Sequence, residues 1–296
     1  MIATSRADKA QRLGVGSLSA WRRKTGRAFL YLFLWLFAFI FLFPFYTMLV
    51  GAFMPLNELF AFTPNLYPAH PTLDNFVNLF QEFPFWRNIL NSLFLAAGQT
   101  IGVLFFCSLA GFTFAKRRFP GREGLFVAML ASMMIPQQST IIPWYLLMAR
   151  LHWLDTFLPL WIPWWAPAFG IFLMRQFIAA SVPDEILEAG IADGCSLFEL
   201  YWRIVLPVIV PALTVLGILQ FIEGWNAFLY PLLVLTSKEM LTAPLALAFL
   251  LGSSLMAPQY TWLFAGSALA TFPLIVVYFV FQRQLMEGIM SGAIKG

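Results

Sequence analysis

Residues 28–57 read AFLYLFLWLFAFIFLFPFYTMLVGAFMPLN, a stretch without a single formal charge. A helix rises 1.5 Å per residue, so about 20 apolar residues cross the roughly 30 Å hydrocarbon core of a bilayer. Lipid offers backbone N–H and C=O groups no partner, and a helix satisfies them within the segment itself. This stretch therefore places a first transmembrane helix at about 29–53. Arg6, Lys9, Arg12, Arg22, Arg23, Lys24 and Arg27 precede it. The apolar run is too long for the core of a secretory signal and lacks a small-residue cleavage site. Residues 1–27 thus read as a basic cytoplasmic tail and 28–296 as the transmembrane domain.

The rest of the chain divides in the same way between its charges. Further spans fall at about 89–115, 125–149, 157–174, 205–232 and 262–282, giving an all-α membrane protein of about six helices. The 157–174 run is the shortest and carries Pro159, Pro163 and Pro167. The uncharged stretch 240–261 contains Pro244, Gly252, Ser253, Ser254 and Pro258, which reads as an external or re-entrant segment rather than a seventh span. Composition agrees: 60% of residues are apolar and 11% charged, where a soluble domain needs about a quarter charged. Trp86, Trp144, Tyr145, Trp153, Tyr260 and Trp262 lie near span ends, where such rings anchor at the interface; one or two could stack on carbohydrate.

The net charge of +4 follows topology and does not indicate nucleic acid. With the N-terminus in the cytoplasm, fifteen of the eighteen Lys and Arg fall on the cytoplasmic side, and only Arg87, Arg150 and Lys238 fall outside. The C-terminus is then cytoplasmic too. Cys107 and Cys195 are far apart, and His70 and His152 form no zinc-type pairing, so neither a disulfide framework nor a metal site is indicated. No GxxxxGK[ST] sequence is present, so this chain is not expected to bind or hydrolyse ATP by itself, and no bound cofactor is expected.

One cytoplasmic loop, about 175–204 with its exit to Pro207, departs from the apolar pattern. It reads RQFIAASVPDEILEAGIADGCSLFELYWRIVLP over 175–207 and holds five of the fourteen acids. Ser181 with Asp184 has the spacing of a capping box, and Pro183 suits a first helical position. Asp184, Glu185 and Glu188 sit where the positive helix end favours negative charge. Gly194 can take the left-handed conformation that stops a helix. These signals predict a helix over about 183–193, a break, and a second helix from near Leu197. Ala189, Gly190 and Ala192 leave a slim backbone beside Glu188 and Asp193. Such a surface suits either the close approach of another body or an amphipathic connector on the membrane.

The run Glu188-Ala189-Gly190, then Gly194, then Ile204, then Leu206-Pro207 resembles the EAA loop of ABC importer permeases: EAA, three residues, G, nine residues, I, one residue, LP. Gly190 stands where that family usually has a second alanine; the change keeps the side small but weakens the helix by roughly 1 kcal/mol. Leu73-Asp74-Asn75-Phe76, Asn91-Ser92, Arg118-Phe119-Pro120-Gly121, Trp225-Asn226 and the 287–296 ending are similar to carbohydrate-uptake permeases of the MalG type. The resemblance implies the type I ABC importer permease fold, in a bacterial or archaeal cytoplasmic membrane. It implies a coupling helix docked on a separate ATPase through Glu188, Ala189, Gly190, Ala192, Asp193, Gly194 and Leu197. Ile204, Leu206 and Pro207 would pass its movement to the fifth span. It further implies a tail, Gly292, Ala293, Lys295 and Gly296, at the ATPase interface. The implied partners are a MalF-type second permease, two ATP-binding subunits carrying ATP and magnesium, and an extracytoplasmic solute-binding protein that meets the 253–260 segment.

Polar residues within spans are costly and mark candidate paths. Asn91, Gln99, Gln220, Glu223 and Asn226 are those, with structural bonding between helices as the alternative for each. Glu223 faces a hydrated path, pairs with another chain, or lies near the outer surface. The solute reads as a sugar, with a glycerol phosphate or polyol as alternative, and an ion-coupled transporter using Glu223 as a more distant one.

Overall fold

The computed structural model describes residues 3–61, 65–252 and 260–293, with side chains over 26–61, 65–252 and 260–284. Among these residues the chain is helical and contains no strand. It divides into two compact units, Met1–Thr72 and Leu73–Gly296. In the first unit, α1 (Ala3–Ala52) carries an apolar stretch, Gly26–Ala52, long enough to cross a bilayer, as the uncharged run requires. Its side chains over Phe29–Phe37 are exposed, as a surface met by lipid would be. A short α2 (Leu56–Leu59) follows, and the returning chain is held by the Glu58 carboxylate, which accepts from the Ala69 N–H at 2.9 Å and pairs with His70 at 2.6 Å.

The second unit opens with α3 (Asp74–Glu82) and the 32-residue α4 (Phe85–Lys116), roughly 48 Å long. The expected third span, 125–149, is not one straight helix. It is α5 (Arg122–Ser132), a 3₁₀ turn at Gln137–Thr140 and α6 (Ile141–Arg150), bent by 92°. Pro136 cannot donate to a helical ladder, and the polar run behind it favours turns. The expected span at 157–174 is also corrected. A short α7 (Leu158–Trp161) and a 3₁₀ turn (Ile162–Trp164) precede the continuous α8 (Ala168–Ser181), which Pro167 starts and which runs seven residues beyond the expected end.

Then come α9 (Asp184–Ala192) and α10 (Leu197–Leu200), followed by a widened π turn (Tyr201–Val205) that leads into α11 (Leu206–Trp225). The fifth span thus starts at Leu197 instead of 205. It ends at Trp225 instead of 232, with α12 (Leu229–Val234) separate. The stretch 240–261 contains α13 (Ala243–Gly252), about 15 Å long and too short to cross alone; residues 253–259 lie outside the described ones. The last helix, α14 (Tyr260–Ala293), contains the expected sixth span. Among the described residues four helices are long and apolar enough to cross unbroken, and the bent α5–α6 pair is a fifth candidate.

Helices α4, α8 and α11 pack around Val103, Cys107, Met174, Ile178, Val205, Ile209 and Leu216. Gly111 lets α4 and α8 approach, since a Cβ there would lie 2.6 Å from the Met174 Cβ. Trp161 and Trp165 lie over Gly98 and Gly102 and donate their indole N–H groups to the carbonyls of Leu95 and Gly98 at 3.0 and 3.1 Å. The same core reaches Val182 and Leu187, so α9 is seated on the bundle rather than tethered to it.

At the α3 end of α4, three polar side chains hold the loop before α13. Asn88 donates to the carbonyls of Lys238 and Leu241 at 3.1 and 2.9 Å, Asn91 donates to Glu239 and Leu241 at 2.7 and 2.9 Å, and Ser92 accepts from the Ala243 N–H at 2.8 Å. Asn91, a candidate for the solute path, is therefore a structural anchor for loop carbonyls. Asp155 accepts from the N–H groups of Thr236 and Ser237; burial pushes its carboxyl up, and these donors more than offset it, leaving the group below its ordinary value. Asn88→Leu leaves the Lys238 carbonyl without its donor and removes one of the two donors to Leu241, and should cost about 1–3 kcal/mol. Thermal unfolding in detergent should show a clear drop in Tm for Asn88→Leu and little change for Leu90→Ala, whose side chain is exposed.

Candidate functional site

Two places carry features that packing alone does not require. The first is the α8–α9–α10 elbow. Residue 181 is still inside the last turn of α8, so it is not free to cap α9, and the expected Ser181–Asp184 box does not form. Pro183 occupies the N-cap in extended conformation, and α9 spans Asp184–Ala192, one residue inside each expected boundary. The capping box sits at the next helix: the Ser196 hydroxyl accepts from the Glu199 N–H, and the Glu199 carboxylate accepts from the Ser196 N–H at 2.9 Å. The signal was present as Ser-x-x-Glu over 196–199.

Helix α9 ends in a Schellman motif. The Cys195 N–H bonds the Gly190 carbonyl at 3.0 Å, the Gly194 N–H bonds Ile191 at 3.0 Å, and Gly194 has φ +85°. Gly194 thus has the role its position predicts, and the second helix starts at Leu197 as expected. Gly190 does not. It is buried against its own chain: a Cβ would lie 2.5 Å from Leu200 Cδ2 and 3.0 Å from Ile204 Cδ1. With Leu187 it forms the inward face that seats α9 on the following helix.

The outward face presents Glu188, Ala189, Ala192 and Asp193 beside half-exposed Ile186 and Ile191. Among the described residues Glu188 and Asp193 make no ion pair. The α9 N-terminus is fixed by Lys116, only 8% exposed, which reaches Asp184 at 2.7 Å from the end of α4. Beyond the elbow, the Leu206 N–H bonds back to the Tyr201 carbonyl, five residues away. Pro207 has no N–H to offer, so the widened turn falls where the helical ladder is interrupted. The Tyr201 hydroxyl meets Ser108 of α4 at 2.6 Å, tying this turn to the bundle. In the tail, Gly292 and Ala293 fall in the last turn of α14, and Lys295 and Gly296 lie outside the described residues.

The second place is a cavity of about 430 Å³ beside Gln99, at the midpoint of α4. Three interruptions of the helical pattern border it: Gln137 and Gln138 at the α5–α6 bend, Trp164 before α8, and Asn226–Pro231 after α11. Irregular backbone at membrane depth persists only where protein buries it or where it lines a wet cavity. Glu223 and Asn226, two of the path candidates, line this cavity. Gln220 is buried behind it and donates to Glu223 at 2.9 Å. Gln137, Gln138, Trp164 and Tyr230 were not among the expected residues. The polar run over 137–140 behind Pro136 was the available signal, diluted by the apolar residues around it.

Residues 107–289 match the family described as binding-protein-dependent transport system inner membrane component. The chain is 34% identical over 259 residues to the arabinooligosaccharides transport system permease protein AraQ of Bacillus subtilis, covering 86% of this chain and 90% of that one. It is 31% identical over 254 residues to the sn-glycerol-3-phosphate transport system permease protein UgpE of Escherichia coli, covering 84% and 90%. Its fold matches a chain of a bacterial ABC transporter involved in the import of the acidic polysaccharide alginate, with TM-score 0.77, 22% identity, and coverage of 85% and 93%.

The elbow can be tested through Cys195, partly exposed beside the break, in a Cys107→Ser background. Gly190→Leu and Gly194→Val should open it and speed maleimide labelling of Cys195 in detergent several-fold. Gly190→Ala should leave the rate within about twofold, because the atom it meets first is the rotatable end of Leu200.

Proposed function

The chain belongs to the family of binding-protein-dependent transport system inner membrane components, and from that membership we propose how its parts divide the work of import. The chain is a membrane-spanning permease of an ABC importer that works with a solute-binding protein; it is a transport subunit and not an enzyme. In the proposed assembly it pairs with a homologous second permease, and two ATP-binding subunits sit beneath them, binding ATP and magnesium. Fifteen of eighteen Lys and Arg favour the α9 side as the cytoplasmic one, with both termini there.

The observation that carries this reading is the divided surface of α9. Its inner face, Leu187 and Gly190, belongs to the bundle core, while Glu188, Ala189, Ala192 and Asp193 face outward beside Ile186 and Ile191. A docked ATPase would grip the outer face, and its movement would pass through the inner face into α11 by way of Gly194, Leu197, Ile204, Leu206 and Pro207. Docking must favour different permease conformations in the open and closed ATPase for this to drive transport. The tail, Gly292 to Gly296, is proposed to touch the same partner.

The solute is proposed to be an oligosaccharide, in line with the relative that carries arabinooligosaccharides. The relative that carries sn-glycerol 3-phosphate makes a small phosphate ester the second reading. Co-purification tests the docking. Glu188→Lys and Gly194→Asp should each retain at least about tenfold less ATP-binding subunit while still inserting in the membrane, a loss of the size expected when a contact charge is reversed or the elbow is strained. Normal retention and normal ATP-driven uptake in both variants would remove α9 as the docking element.

A further inference from the structure

The cavity at the midpoint of α4 gathers polar and aromatic side chains in one wall. Gln99 is 7% exposed, yet its side-chain amide makes no hydrogen bond to any described residue. The exposed Gln137 and Gln138 line the same space, and their side-chain amides make no hydrogen bond to any described residue. Each amide offers donors and an acceptor, and for the buried Gln99 leaving them unpaired is costly unless something polar enters.

Three aromatic residues, Trp164, Phe228 and Tyr230, stand in the wall among aliphatic ones. Trp164 and Tyr230 meet edge to face, with centroids 4.8 Å apart at 62°, and the Tyr230 hydroxyl donates to the Gln137 carbonyl at 3.4 Å. An aromatic plane suits the apolar C–H face of a sugar ring, while amides suit its hydroxyls, which both donate and accept. A purely apolar ligand would leave every amide unpaired.

The charge on the wall narrows the ligand further. Among the described residues that line it, Glu223 is the one with a formal charge, and none is Lys, Arg or His. Gln220 occupies one carboxylate oxygen at 2.9 Å, leaving the other free to accept from a hydroxyl. A uronate or phosphate ester entering here would meet like charge from this chain, with no cation of this chain beside it among the described lining residues.

We propose that this cavity is a binding subsite for one uncharged sugar residue. In it Gln99, Gln137 and Gln138 bond the hydroxyls, Trp164 lies against the ring, and Glu223 turns anionic solutes away. The proposal rests on the import reading and decides between its two solute classes.

The test uses the detergent-purified importer with its companion subunits but without binding protein, whose own selectivity would otherwise intervene. Equilibrium binding of tritiated arabinotriose and maltotriose serves as the neutral probe, with sn-glycerol 3-phosphate and an alginate trisaccharide as competitors. The wild type should bind at least one neutral probe and resist displacement by both anions. Gln99→Leu and Gln138→Ala should each weaken neutral binding by about tenfold, the scale of one lost hydrogen bond. Gln138 is exposed, so its substitution leaves the packing intact. Glu223→Gln should let the anions compete at least about tenfold better. Failure of the wild type to bind either neutral probe, affinities unchanged within twofold in both glutamine variants, or equal displacement by anions in wild type and Glu223→Gln would overturn the subsite. ATP-driven uptake in proteoliposomes separates the two readings: a wild-type complex that binds a neutral probe and imports none with ATP would overturn the import reading while the subsite stands.

Discussion

Inside a bilayer a peptide group that leaves its helix has no water to bond, and that constraint organises this protein. The chain breaks its helical pattern near Pro136, between Trp161 and Pro167, and after Trp225. All three breaks border one cavity whose wall sets amides, a carboxylate and three aromatic rings among aliphatic side chains. Lipid penalises irregular backbone, and these breaks instead meet at a cavity with polar side chains in its wall.

The second feature is continuity. The apolar core formed by α4, α8 and α11 includes Leu187 of α9, and Gly190 brings α9 against Leu200 and Ile204. Ion pairing of Lys116 with Asp184 and the Tyr201–Ser108 hydrogen bond add two ties between α4 and the elbow. A force applied to the outer face of α9 therefore has a packed route into α11, whose far end adjoins the cavity through Ile222 and Glu223. Close-packed interiors deform little, which makes such a route effective over its length.

Much of this was legible in the residue order. The uncharged runs mark the apolar helices, and the spacing from Glu188 to Pro207 locates the elbow and both its helices to within a residue. Gly194 was readable because a positive φ is a local property. Gly190 was not, because whether a small residue faces a partner or its own chain depends on how the next helix folds back. The breaks were missed for a related reason: the bend near Pro136 and the turns between Pro159 and Pro167 sit in stretches whose average apolarity still satisfies a span. Asn91 and Glu223 look alike as polar residues in apolar helices, and only their neighbours, loop carbonyls for one and an open cavity for the other, tell them apart.

The central claim is that α9 moves as part of the bundle when nucleotide binds to the docked ATPase. Spin labels at Ala192 on α9 and Phe106 on α4, in a chain without other cysteines, report this distance by pulsed electron resonance in the assembled importer. The account predicts the same distance with and without ATP. A change of more than about 5 Å, one helical turn, would mean that α9 swings free of the bundle and would contradict it.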